Sequence, residues 1–341
     1  MNKPVTIKDI ARKFKCSPST VSRALNNHPS INEDTRRNLQ EYAKKVGYQR
    51  NQVSLSLLNT RTASIGVVVP TINNYYESAI IEGIESVLHP KGYTLNICVT
   101  NEQYLLEAEY IVKLLSNRVE GIFLSVSQET YDCGYYEHLE NISKRNLPLI
   151  FIDRDFEGFA AGSVTVDDYH GAYSAVKHLI DSGRKRIAHL KGPNGLTVTE
   201  HRFKGYTDCL IQHGFEVDDS LVINTNFRVE SAPEPTRRLL DLKPIPDAIF
   251  GVNDQVAIGA MKVIRDKGLK IPEDIAIVGF DDFPISAFIS PSLTSVCRPG
   301  RQVGEAAAQM FLNLQHQNPT SAKSNHIVLP SQLIVRESSV L

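Results

Sequence analysis

Val5-Thr6-Ile7-Lys8-Asp9-Ile10-Ala11 and, five residues on, Ser17-Pro18-Ser19-Thr20-Val21-Ser22-Arg23-Ala24-Leu25-Asn26 read as two short helices around a break. Thr6 is placed to cap the first helix, over residues 7–14, whose apolar Ile7, Ile10, Ala11 and Phe14 recur at i, i+3, i+4 and i+7. Lys15-Cys16 makes the break. Ser17 caps the second helix, and Pro18 takes its first position, where a missing N–H costs nothing. That helix runs to about Leu25 with Val21, Ala24 and Leu25 inward, and Asn26-Asn27-His28-Pro29-Ser30 is turn chemistry. A third helix over 34–46, opened by Asn32 or Glu33, carries Leu39, Tyr42, Ala43 and Val46 on one face and stops at Gly47. Three helices without a strand pattern form a helix-turn-helix unit. Its second helix shows Ser19, Thr20, Ser22 and Arg23 opposite the apolar face. The hydroxyls suit phosphates, and the arginine is long enough to reach a guanine edge.

Charge points the same way. Residues 1–62 hold twelve Lys and Arg against four Asp and Glu, a balance of +8. The other 279 hold 25 against 34, a balance of −9, so a basic head that suits a polyanion is joined to an acidic body.

From Ser64 onward, strands and helices alternate. Apolar strands are expected at 65–69, 94–99, 121–126, 149–152, 187–190, 221–224, 248–251 and 275–279, with amphipathic helices between them, among them 79–88, 105–115, 171–181, 202–213 and 255–266. Eight such units exceed one comfortable sheet, so the body reads as two doubly wound parallel-sheet lobes. Ligands of such sheets bind at the carboxyl ends of strands. Asn73-Asn74-Tyr75-Tyr76, Asp153-Arg154, Asn253-Asp254 and Asp281-Asp282 all fall at such ends, which together read as a crevice.

No nucleophile elbow, zinc helix, phosphate loop or dinucleotide fingerprint occurs, so binding is favoured over catalysis, with no cofactor and no metal. Asp167-Asp168 and Asp281-Asp282 are poor acid–base pairs, because neighbours on a strand point to opposite faces. His178 and His189 read as surface or packed residues. Five scattered cysteines without a C-x-x-C fit a reducing compartment. The polar start of the chain and the lack of a long apolar run point to a cytoplasmic protein without a membrane role.

The two opening stretches resemble the N-terminal signature of the lactose-repressor/galactose-repressor family of transcription regulators. The resemblance continues through Val46-Gly47-Tyr48, Val119-Glu120-Gly121-Ile122, Phe151-Ile152-Asp153-Arg154, His178-Leu179-Ile180, Gly183, Arg186-Ile187-Ala188 and Arg202 with Gly205-Tyr206. It closes with residues 253–260 and Gly279-Phe280-Asp281-Asp282, covering about the whole chain in order. It implies an all-α helix-turn-helix domain at 1–47, a hinge at 48–62 and an effector-binding core at 63–341 that dimerises. The core would resemble periplasmic binding proteins, with one lobe of about 63–163 plus 294–325 and the other of about 164–293 plus 326–341. In the hinge, Asn51 would cap a short helix over 52–59 that presents Ser54 and a wedge, Leu57, to the minor groove. Arg50, Ser54, Lys15-Cys16 and Arg298 depart from the family's usual residues there.

A homodimer of this kind requires a near-palindromic operator in double-stranded DNA. Arg23 and Ser19 would read bases, with Thr6, Ser17, Thr20 and Ser22 on phosphates, and Pro18 and Asn26 bounding the same surface. Around the effector the resemblance implies Tyr75, Tyr76, Asp153, Arg202, Phe227, Asn253 and Asp281. That set suits a neutral polyol, most simply a sugar; Arg154 and Arg298 keep a phosphorylated sugar open, and a nucleobase is the other family option. The last twenty-one residues, 321–341, lack leucine heptads, so no coiled-coil tetramer is expected. The rival readings are a solute-binding protein without a DNA role and, behind it, an enzyme of unknown type; the basic head and the missing motifs oppose them.

Overall fold

The computed structural model describes residues 5–48, 62–156, 159, 161–316 and 325–340, and the chain separates into two units, Met1–Thr62 and Ala63–Leu341. In the first unit, helices Ile7–Lys13, Pro18–Leu25 and Glu33–Lys45 bury Ile10, Ala11, Val21, Ala24, Leu39 and Ala43 in one small core. Gly47 (φ 65°) ends the third helix, and the Tyr48 N–H returns to Ala43 O at 2.9 Å, a turn that favours glycine. Gln40 of that helix donates to Ala24 O (3.0 Å) and Asn27 Oδ1 (2.8 Å), bracing the end of the second helix.

The second unit contains two six-stranded sheets. Its strands are β1 (Ser64–Val69), β2 (Thr94–Val99), β3 (Ile122–Leu124), β4 (Leu149–Ile152), β5 (Gly162–Val166), β6 (Ile187–Lys191), β7 (Val222–Asn224), β8 (Ala248–Gly251), β9 (Ala276–Asp281), β10 (Thr294–Cys297), β11 (His326–Leu329) and β12 (Gln332–Ile334). The first sheet runs β11-β5-β4-β3-β1-β2 and is parallel throughout. The second runs β12-β10-β9-β8-β6-β7, parallel except where β12 pairs with β10. The chain therefore crosses between sheets three times: after β5, after β10 and between β11 and β12.

This topology corrects the expected lobe boundaries. β10 belongs to the second sheet, so 294–297 leaves the first lobe, while β5 and β11 belong to the first, which takes in 164–166 and 326–329. β5, β10, β11 and β12 were not anticipated as strands. They are short, and β11 at the sheet edge alternates exposed and half-buried residues, so the continuous apolar run that marks a buried parallel strand is missing. The hinge residues Asn51, Ser54 and Leu57, and the helix expected over 52–59, lie outside the described residues. No helix among the described residues is long and apolar enough to cross a membrane.

After β10 the chain returns to the first lobe as helix Gly300–His316, which lies along helix Tyr75–Leu88 and contributes Val303, Ala307, Ala308, Met310 and Phe311 to that lobe's core. The two helices meet backbone to backbone. A Cβ on Gly83 would stand 2.1 Å from Arg301 O, and one on Gly304 only 2.0 Å from Ile80 O. Gly304→Val should therefore force the helices apart and cost about 3 kcal/mol, the upper range for overpacking, read as a lower urea midpoint; an unchanged midpoint would contradict this contact.

Candidate functional site

Two surfaces carry the residues singled out in the sequence. On the small unit, Ser17 caps the second helix: its Oγ accepts from the Thr20 N–H at 3.1 Å and lies 2.7 Å from Ser19 Oγ and 2.9 Å from Thr20 Oγ1. Three hydroxyls are thus gathered at one helix start, beside the exposed Pro18. Thr6 opens the first helix by giving both its N–H (2.9 Å) and its hydroxyl (2.6 Å) to Asp9 Oδ2. Arg23 and Asn26 are exposed at the other end of the second helix, and Ser22 is half-buried. All eight lie on or beside the first two helices.

The other surface is a crevice of about 440 Å³ between the lobes of the large unit. Every wall comes from the carboxyl end of a strand or the helix that follows it, as expected of doubly wound sheets. Pro70, Thr71, Asn73, Asn74 and Glu77 follow β1; Asn101 and Glu102 follow β2; Asp153 and Arg154 follow β4. From the second sheet come Val198 and Arg202 after β6, Phe227 and Arg228 after β7, Asn253 after β8, Asp281 at the end of β9 and Arg298 after β10. Asn101, Glu102, Asp153, Phe227 and Asp281 all hold left-handed backbone, with φ between 52° and 108°. Such conformations in non-glycine residues cost energy and gather at functional sites.

The crevice is a network of buried ion pairs. Arg298 Nη1 donates to Asp153 Oδ1 (2.6 Å) and its Nε to Asp281 Oδ1 (2.8 Å), with the guanidinium 3.4 Å from the centre of the Tyr76 ring. Arg202 Nε donates to Asp168 Oδ1 (2.8 Å) and Nη1 to Val252 O (2.7 Å), over the Phe280 ring. Arg154 grips Glu102 with two nitrogens, at 2.8 and 2.9 Å. Burial pushes the Asp281 carboxyl up while Arg298 and Arg202 oppose it. At Glu102 burial works the same way, but the Arg154 guanidinium wins and holds that carboxyl below its usual value. Glu77, buried near Asp153, is pushed up to about 8. Each of these three guanidiniums already has a carboxylate.

Of the seven residues expected around the effector, Asp153, Arg202, Phe227, Asn253 and Asp281 meet in this crevice. Asn253 also caps helix Asp254–Asp266 through the Val256 N–H and donates to Phe227 O at 2.9 Å. Tyr75 and Tyr76 do not line it. They open a helix, where successive side chains diverge by about 100°. Tyr75 therefore turns outward, edge-on to Phe283, and Tyr76 is buried beneath Arg298. Glu77 and Glu102 were missed by sequence reasoning. The strand-end signal that found Asp153 was equally available for Glu102, whereas nothing marks a glutamate in a helix's first turn as buried. The aspartate pairs part as expected, Asp281 to Arg298 and Asp282 to Arg336. His178 bonds Ser339, and His189 is stacked in the second lobe's core, where burial pushes it down to about 3.

Both units are similar to known proteins. Residues 6–51 match the family model "Bacterial regulatory proteins, lacI family", and residues 176–339 match "Periplasmic binding protein-like domain". The HTH-type transcriptional regulator DegA of Bacillus subtilis (strain 168) is 32% identical over 334 residues, 98% of each chain. Among solved structures, a transcriptional regulator CelR–cellobiose complex superposes with a TM-score of 0.74 at 25% identity, over 98% of this chain and 99% of that one. The Lac repressor dimer bound to operator and the anti-inducer ONPF shares the fold, with a TM-score of 0.87 at 24% identity over 99% of this chain and 100% of that one.

Replacing Arg202 by methionine would strand Asp168 and leave Asp281 with one counter-charge fewer, so stability should fall by about 3–5 kcal/mol in urea unfolding at pH 8. Arg202 is one of the two guanidiniums that oppose protonation of Asp281, so without it that carboxyl holds its proton more readily in the folded state and the loss should shrink at pH 5; an equal loss at both pH values would contradict the pairing.

Proposed function

The chain belongs to the lacI family of bacterial regulatory proteins, and from that premise we propose that it is a DNA-binding transcription regulator whose operator affinity is set by a neutral, hydroxyl-rich small molecule, a sugar, held in the interlobe crevice. The observation that carries the ligand reading is the neutralisation of the crevice's three buried arginines, which leaves only the exposed Arg228 of its lining without a carboxylate among the described residues. Arg154, Arg202 and Arg298 are each already paired with carboxylates, so an anionic ligand would have to break a buried pair to gain one. Hydroxyls instead add hydrogen bonds to the carboxylates and amides that remain, and Phe227 offers a ring to a sugar's apolar face. Of the similar proteins, CelR is described with cellobiose bound, which supports a sugar here by analogy.

On the DNA side the proposal assigns Arg23 and Ser19 to base edges and the Ser17, Thr20, Ser22 and Thr6 hydroxyls to phosphates. A homodimer presents two such helices to a near-palindromic operator. The ligand acts through its different affinity for the lobe arrangements that do and do not suit the operator, and that difference sets the sign of the response.

Arg23→Ala should weaken binding to an operator obtained by in vitro selection by about 1–3 kcal/mol and relax one base position; an unchanged selection profile would contradict the assignment. In a thermal-shift screen, neutral sugars should raise the melting point while sugar phosphates and purines leave it in place. Stabilisation by a phosphate or purine alone would reject the polyol reading.

A further inference from the structure

A short helix of the first lobe reaches the second lobe away from the crevice. Helix Gln128–Cys133 follows β3 and carries Gln128, Tyr131 and Asp132 at i, i+3 and i+4, on one face. Its start is bolted to the first lobe. Glu107 accepts from the Ser127 N–H at 2.6 Å and from the Thr130 hydroxyl at 2.9 Å, and Glu102 Oε2 accepts from the Gln128 N–H at 2.8 Å. From that base the Gln128 side chain crosses the gap. Its Nε2 donates to Asp132 Oδ1 (2.8 Å) on its own helix and to Asn194 O (3.0 Å) in the second-lobe loop after β6. Both partners can only accept, which fixes the amide with its nitrogen toward them. One turn on, the Tyr131 hydroxyl donates to Asp155 O and takes a hydrogen bond from Thr197, the first residue of second-lobe helix Thr197–Gln212. Gly195, at φ 85°, lets the loop approach: a Cβ there would stand 3.9 Å from Asp132 Oδ1.

Both ends of this contact lead to the crevice. Glu102 Oε2, which takes the Gln128 N–H, is also held by Arg154 Nη1 at 2.8 Å, and Glu102 and Arg154 both line the first-lobe wall. Helix Thr197–Gln212, which begins at the contact, brings Val198 and Arg202 to the opposite wall. Resting on the effector reading of the crevice, we propose that Gln128, Tyr131 and Asp132 form a latch with Asn194 and Thr197 that holds the lobes in the ligand-accepting arrangement. A ligand spanning the two walls ties together the same two elements that the latch ties. Each tie lowers the cost of making the other, so the latch raises effector affinity without touching the effector. Neither Gln128 nor Asn194 lines the crevice, so Gln128 is a positioning residue.

The test compares wild type with three changes at Gln128 in two arms. Gln128→Lys keeps a donor for both acceptors, Gln128→Glu sets a carboxylate against Asn194 O and Asp132, and Gln128→Ala removes the tie. All three keep the backbone N–H that Glu102 takes. In hydrogen exchange of the ligand-free full chain, the amides of residues 194–204, in the lobe that carries no substitution, should exchange roughly threefold faster or more in the Glu and Ala variants. In the Lys variant they should exchange at about the wild-type rate. Unchanged exchange in Gln128→Glu, or equal acceleration in Gln128→Lys, would overturn the latch. The second arm uses D-ribose, D-glucose, D-galactose and cellobiose as calorimetric probes. Any sugar that binds wild type should bind the Glu and Ala variants about 2–10-fold more weakly, the worth of one neutral hydrogen bond, and the Lys variant almost normally. Equal affinity for all four proteins would overturn the proposal while leaving the polyol reading intact. Silence of all four sugars on wild type counts against the polyol reading, and the exchange arm then decides the latch alone.

Discussion

Arg298 holds the large unit's two sheets to one another. It leaves the end of β10, binds Asp281 of the second sheet through Nε and Asp153 of the first through Nη1, and lies flat on Tyr76. A buried guanidinium is tolerable only with its charge and donors satisfied, so each carboxylate must be delivered to within about 3 Å of it. Much of the local backbone follows from that demand. Asp153 and Asp281 both adopt left-handed conformations at strand ends, where the chain must turn a short side chain back toward the crevice.

The same constraint shapes what the crevice recognises. Its buried guanidiniums neutralised from within, it presents leftover carboxylate oxygens, amides and an aromatic ring, with the exposed Arg228 also in its lining. Under the effector proposal a ligand there would touch residues from both lobes and bias their arrangements through its different affinity for each. A second contact reinforces the tie at the surface, where Gln128 of the first lobe donates to Asn194 O of the second at 3.0 Å. Arg298 sits on a crossover and Asp168 begins the helix after another, so the pairs lie where relative movement of the lobes would be felt first.

Much of this was legible in the residues. The small unit's core was readable from helical spacing, and Ser17, Pro18 and Gly47 marked helix ends by chemistry that needs no tertiary context. Six of the eight apolar strands were visible because parallel strands buried on both faces read as continuous runs, while the edge strands β2 and β7, exposed or half-buried, were read from their apolar and β-branched residues. Lobe membership was not visible, because pairing decides it: β10 stays beside its neighbours β9 and β12, while β11 goes back to pair with β5 far earlier in the chain. The strand-end rule leads to Asp153, Asn253 and Asp281, which line the crevice, while Tyr75 and Tyr76 do not line it because the rule ignores the twist of a helix's first turn. Glu77 could not be found at all, because nothing in the sequence marks a glutamate in a helix's first turn as buried.

The tie between the lobes is tested most directly by a double-mutant cycle on Asp153 and Arg298. Urea unfolding of the full chain, followed by circular dichroism, would be measured for wild type, Asp153→Asn, Arg298→Met and the double variant. Across a buried, hydrogen-bonded pair the two losses should be non-additive by about 1.5 kcal/mol or more, the double variant being more stable than the sum of the single changes implies. Additivity within about 0.5 kcal/mol would show that the two side chains act independently and would contradict this account.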